Sequence, residues 1–94
     1  MRKIEWTRQF KRDYKKLRSS PRYRGDIETL LPAVLGALAA DQNIEPKFKD
    51  HALAGDMTGF RECHLRPDLL LIYAKAEAPP SLILMRLGSH SELF

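Results

Sequence analysis

The sequence contains one cysteine, Cys63, so no disulfide can form within the chain and nothing in it points to an oxidising compartment. Its apolar runs stop far short of the roughly 20 residues a membrane-spanning helix needs. The basic N-terminal residues are not followed by the apolar stretch of a secretory signal, and the expected location is the cytoplasm, with no membrane partner. There is no internal repeat, linker or low-complexity tract. Histidine, cysteine and carboxylate side chains never fall at compact ligand spacing such as H-x-x-x-H, so neither a metal nor another cofactor is expected. Acidic residues are scarce at one end: residues 1–25 hold only Glu5 and Asp13.

What is present is an ordinary globular composition, with 44% apolar and 30% charged residues in 94 positions. Surface scaling gives a folded area of roughly 5,500 Å² against about 15,700 Å² unfolded, enough burial for one small core. A single domain over residues 1–94 is expected. Net charge is +4, but residues 1–25 hold ten of the sixteen basic side chains. That concentrated positive field attracts polyanions, and each neutralised phosphate releases counterions.

Lys3 to Trp6 reads as a short strand, and Thr7 can cap a helix from Arg8 to about Leu17. There Phe10, Tyr14 and Leu17 form one apolar stripe, and lysines and arginines fill the rest. Ser19, Ser20 and Pro21 break the helix. Asp26 offers a cap for a second helix to about Ala40, with Ile27, Leu30, Leu31, Val34, Leu35 and Leu38 inward. Pro32 removes a backbone donor and predicts a kink near Glu28, or two shorter helices. Residues 41–59 read as an irregular connection. Phe60 to Leu65 alternates as a strand, Pro67 and Asp68 mark a turn, and Leu69 to Tyr73 is an apolar run suited to a central strand covered on both faces. A further strand runs from Leu82 to Leu87, and Ser89 or Ser91 can cap a last helical turn. The order β, α, α, β, β, β predicts an α+β fold: two N-terminal helices packed on one face of a mainly antiparallel, twisted sheet.

The three histidines each stand in polar or charged company: Asp50-His51, Glu62-Cys63-His64 with Asp68 four positions on, and Ser89-His90. Imidazole exchanges protons near neutrality, which suits acid–base work on a phosphodiester; a surface or core-edge position explains any one of them alone. Arg86 lies in an apolar strand, where a guanidinium needs an anion or a solvent-facing side. Phe94 either closes the core or stacks on a base.

Three blocks then stand out: Phe48-Lys49-Asp50-His51-Ala52-Leu53; Gly59 to Tyr73, containing Arg61, His64, Pro67 and Asp68; and Arg86-Leu87-Gly88-Ser89-His90-Ser91-Glu92-Leu93-Phe94. In order and spacing they resemble the YafQ branch of the RelE/ParE toxin superfamily, and the resemblance covers nearly the whole chain. It implies a RelE-like fold and a toxin of a bacterial type II toxin–antitoxin system, a ribosome-dependent mRNA endoribonuclease neutralised by a cognate antitoxin. It also implies a catalytic set of His51, His64, Asp68 and His90, with Arg86, Phe94, Lys49 and Arg61 on the substrate. The helix cations Arg8, Lys11, Arg12, Lys15 and Lys16 would meet small-subunit ribosomal RNA. Asp68 would take the 2′-hydroxyl proton and His90 protonate the leaving oxygen, or the two roles are exchanged. Where tryptophan follows the aspartate in the relative compared, this chain has Leu69. Two other classes stay open on the sequence: a ParE-like inhibitor of DNA gyrase, and a basic RNA- or ribosome-binding module without catalysis.

Overall fold

A computed structural model describes residues 1–94. The elements are β1 (Lys3–Trp6), α1 (Arg8–Arg18), α2 (Leu31–Ala39), β2 (His51–Ala52), β3 (Arg61–Arg66), β4 (Leu69–Glu77), β5 (Pro80–Gly88) and α3 (His90–Leu93). The five strands form one sheet in the order β1-β5-β4-β3-β2, with β1 parallel to β5 and every other pair antiparallel. The α+β expectation therefore stands, with one strand more than the sequence suggests. β2 has only two residues, too few to show any periodicity.

β4 is the middle strand, and its Leu69–Tyr73 run is buried throughout. Alternation sends Leu69, Leu71 and Tyr73 to the helix side, where they join Phe10 and Leu17 of α1, Leu31, Val34, Leu35 and Leu38 of α2, and Leu82, Leu84 and Leu87 of β5 in one core. Each such side chain contributes on the order of 1.5–3 kcal/mol by leaving water. Leu70 and Ile72 face the other way and are also buried; the side chains that flank them there form the site described below.

Thr7 caps α1 as expected: its hydroxyl accepts from the Phe10 amide at 3.1 Å and donates to the Leu84 carbonyl at 2.9 Å, fastening α1 to β5. Asp26 does not cap the second helix. That helix starts from Gly25, without a side-chain cap, and the Asp26 carboxylate instead accepts from Arg66 at 3.0 Å. The stretch Asp26–Leu30 is a π-turn running into α2, with the Leu31 amide donating to the Asp26 carbonyl. Pro32 sits in the first turn of α2, where a missing donor is tolerated. The proline is thus absorbed by a wider turn rather than a break.

Two register shifts shape the sheet. In β5, Leu84 opposes Tyr73 and Arg86 opposes Ile72, so Met85 is an extra residue. Strict alternation would point Arg86 into the core with Leu82 and Leu84; the bulge turns it to the open face instead. In β3 a similar shift falls between His64 and Arg66.

Candidate active site

β3 presents Glu62 and His64 to the open face, being two residues apart on one strand. β2 brings His51 directly opposite Glu62. Glu62 is only 5% exposed, and its Oε1 lies 3.1 Å from His64 Nε2 and 3.5 Å from His51 Nε2. The two imidazole rings are 6.2 Å apart. His51 Nδ1 is 2.6 Å from the Lys49 carbonyl, so the proton on Nδ1 is assigned to that bond and Nε2 is turned to Glu62. Lys49 adopts a left-handed conformation, φ 49°, which aims its carbonyl at the ring. One buried carboxylate thus bonds the His64 ring and stands ready to pair with His51 when that ring carries both protons, an arrangement able to pass protons or to set cationic edges against a phosphate.

The same face continues across the sheet. Arg86 stands opposite Ile72, which stands opposite Glu62. The Asp13 carboxylate accepts from Arg86 Nε at 2.8 Å and Nη2 at 3.3 Å and also from the Leu87 amide, and this pairing raises the guanidinium pKa. Leu70 lies between His64 and Gly88, so the start of α3 is two strand spacings, about 10 Å, from His64. α3 is held by a capping box between Ser89 and Glu92. Its His90 ring packs 5.1 Å from the Phe94 ring, and Phe94 is 55% exposed rather than closing the core. Lys16 donates to Glu92 at 2.8 Å; with the Ser89 bonds it holds the Glu92 carboxyl down at about 2.

Asp68 sits in the β3–β4 turn, half exposed. Its Oδ2 accepts from the Tyr23 hydroxyl at 3.3 Å, and Arg22 lies 3.5 Å away. Burial, before the neighbouring charges, pushes the Tyr23 hydroxyl pKa up. Arg61 is separated from the group: it opposes Tyr73 on the helix side of β3, and both bond Asp50, Arg61 at 3.3 Å and Tyr73 at 2.6 Å. Within the chain its partner is therefore Asp50, away from the two imidazoles. Arg8, Lys11, Arg12 and Lys15 are exposed along α1, whereas Lys16 is engaged by Glu92. Glu62 is a site residue that the motifs do not single out, although its i, i+2 relation to His64 within an alternating strand is the signal for it.

A small basic α+β chain that sets two imidazoles around one buried carboxylate on the open face of its sheet has the layout that the resemblance to toxins of the toxin–antitoxin class implies. A family model described as "Bacterial toxin of type II toxin-antitoxin system, YafQ" matches residues 2–94, and the chain belongs to that family. The mRNA interferase toxin YafQ of Escherichia coli K12 is 28% identical over 93 residues, covering 99% of this chain and 96% of that one. A metal-bound toxin from Helicobacter pylori is 48% identical with a TM-score of 0.88, both chains covered in full. The toxin in the E. coli DinJ–YafQ complex is 28% identical with a TM-score of 0.80, covering 100% of this chain and 99% of that one. No group of three or more His, Cys, Asp or Glu side chains in the present chain is arranged to hold a metal ion.

Proposed function

We propose that this chain is an mRNA endoribonuclease that halts translation, acting on ribosome-bound mRNA in the cytoplasm and restrained by an antitoxin that covers its positive surface. The observation that carries this reading is the convergence of His51 and His64 on the buried Glu62, in register across one sheet face with Arg86 and with the strand end that bears His90 and Phe94.

Cleavage without a bound cofactor needs a base, an acid and charge stabilisation at phosphorus. The Tyr23 hydroxyl occupies one oxygen of Asp68 and leaves the other to take the ribose 2′-hydroxyl proton. The 2′-oxygen bonds to phosphorus, the bond from phosphorus to the 5′-oxygen breaks, and His90 protonates that oxygen as it leaves. The acid and the base each contribute about 10² to 10⁴ in rate. His51, His64 and Arg86 face the non-bridging oxygens, Glu62 fixes the two rings, and Phe94 stacks on a displaced base. The products are a 2′,3′-cyclic phosphate and a 5′-hydroxyl. The ribosome holds the mRNA bent, with the 2′-oxygen in line, which removes an entropic barrier so small a protein does not remove alone.

The test is induction in growing bacteria with transcript 5′ ends mapped for wild type, His90→Ala and Asp68→Ala, and end-group analysis of mRNA cut on purified ribosome complexes. New 5′-hydroxyl ends in the wild type alone are expected. Ends carrying 5′-phosphate, or equal cutting by His90→Ala, would each overturn the scheme. Gyrase-dependent DNA breaks with intact transcripts would replace it with the gyrase-inhibitor class.

A further inference from the structure

β2 pairs with β3 only at Arg61 and Glu62, so the outer edge of β3 from His64 to Arg66 has no strand partner. A cleft of about 270 Å³ opens along that edge, and His64 is among the residues that line it. Its wall is formed by Leu30 from the π-turn, Phe48 from the short turn Pro46–Phe48, and Pro67. Its rim carries Lys47, Lys49 and Arg66. The catalytic scheme above uses none of these six side chains. Arg66 is paired with Asp26 at 3.0 Å and Lys47 with Glu45 at 3.4 Å, both in solvent-exposed pairs that phosphate can displace. Lys49 forms no ion pair within 4 Å in the chain. Lys49 also joins the cleft to the site, since its carbonyl holds His51 while its side chain lines the rim.

An apolar wall with three cations around it and a strand edge offering backbone groups has the chemistry of an unpaired nucleotide: a flat base with a phosphate. Bound there, the nucleotide would lie beside His64, and so next to the scissile link. We propose that this cleft binds the mRNA nucleotide adjoining the cut and sets the base preference at that position. The proposal rests on the nuclease reading for its place in the reaction, but not for the binding itself.

The experiment has two arms. In the first, a 2′-O-methylated RNA hexanucleotide, which binds without being cut, is titrated into the full chain and followed by amide NMR. Shifts at Leu30, Phe48, Lys49 and Arg66 are expected, and Lys47→Gln with Arg66→Gln should weaken binding at least tenfold. The logarithmic salt slope should fall by about 0.7 for each phosphate that the variant no longer neutralises. In the second arm, cut sites are mapped for the double variant. A loss of base preference at one position beside the cut, with cutting retained, is expected. Shifts confined to α1, or an unchanged cut-site profile, would overturn the cleft. Cleft shifts in a wild type that never cuts would support the cleft and end the nuclease reading.

Discussion

Glu62 carries more of the site than any residue the motifs single out. Its carboxylate is almost wholly removed from water and its two imidazole neighbours are what make that burial tolerable. Glu62→Gln keeps the shape, removes the charge, and lets the two rings drift. Cleavage should fall by about 10²-fold, the cost of a small misplacement of reacting groups, with little change in ribosome binding. Single-turnover cutting beside ribosome co-sedimentation checks this, and equal losses in both would mean that Glu62 only supports the fold. A different kind of residue is Leu71, fully buried at the centre of the sheet on the helix side. Leu71→Ala should cost about 2–5 kcal/mol in urea unfolding, the transfer energy of the deleted atoms plus a cavity term. Arg86 illustrates what a sequence leaves out: alternation along β5 assigns it the core face, and only the extra Met85 sends it to the open one. Nothing in Leu84-Met85-Arg86 marks that bulge, because bulges answer to the twist of the neighbouring strands. Glu62 was legible by contrast, since period two alone puts it beside His64.

At the scale of elements, long periodic segments were readable and short ones were not. The stripe of α1, its Thr7 cap, the apolar run of β4 and the Ser89 cap of α3 all follow from local chemistry. β2 exists only because β3 offers an edge, and the π-turn only because Pro32 must be accommodated within packed Ile27 and Leu31. α3 is the element whose stability most concerns function, because four residues of helix do not hold themselves together. Glu92 supplies its capping box and its tie to Lys16, and those bonds lower the Glu92 carboxyl from 4.5 to about 2. A depressed carboxyl stabilises the fold fully above its unfolded value and loses that contribution as pH falls through the folded one. The window is therefore pH 4.5 down to about 2. The pair is largely solvent-exposed, so screening keeps the effect small. NMR should show the His90 and Phe94 rings coming apart over that range while Leu70 and Leu71 amides stay protected. Lys16→Gln should move the change to higher pH; an unmoved midpoint would separate α3 from α1.

Over the whole molecule, charge and packing are divided between layers. The core lies between helices and sheet, the His51–Glu62–His64 group lies on the opposite sheet face, and the cations of α1 are exposed. The folded surface, 5904 Å², is close to the area expected from chain mass. Lys11, Arg12 and Lys15 are exposed on it. Lys16 is a poor choice for probing ribosome binding, since replacing it would also loosen α3. Replacing Lys11, Arg12 and Lys15 with glutamate should weaken ribosome binding and reduce its salt slope by up to about 0.9 for each phosphate left without its cation. The fold has its own internal reporter: burial pushes the Cys63 thiol up to about 12, so alkylation requires unfolding. Unchanged Cys63 protection together with abolished ribosome binding would assign the patch to docking. Unchanged binding would leave α1 a solvated face, and the ribosome would then have to be recognised through the sheet.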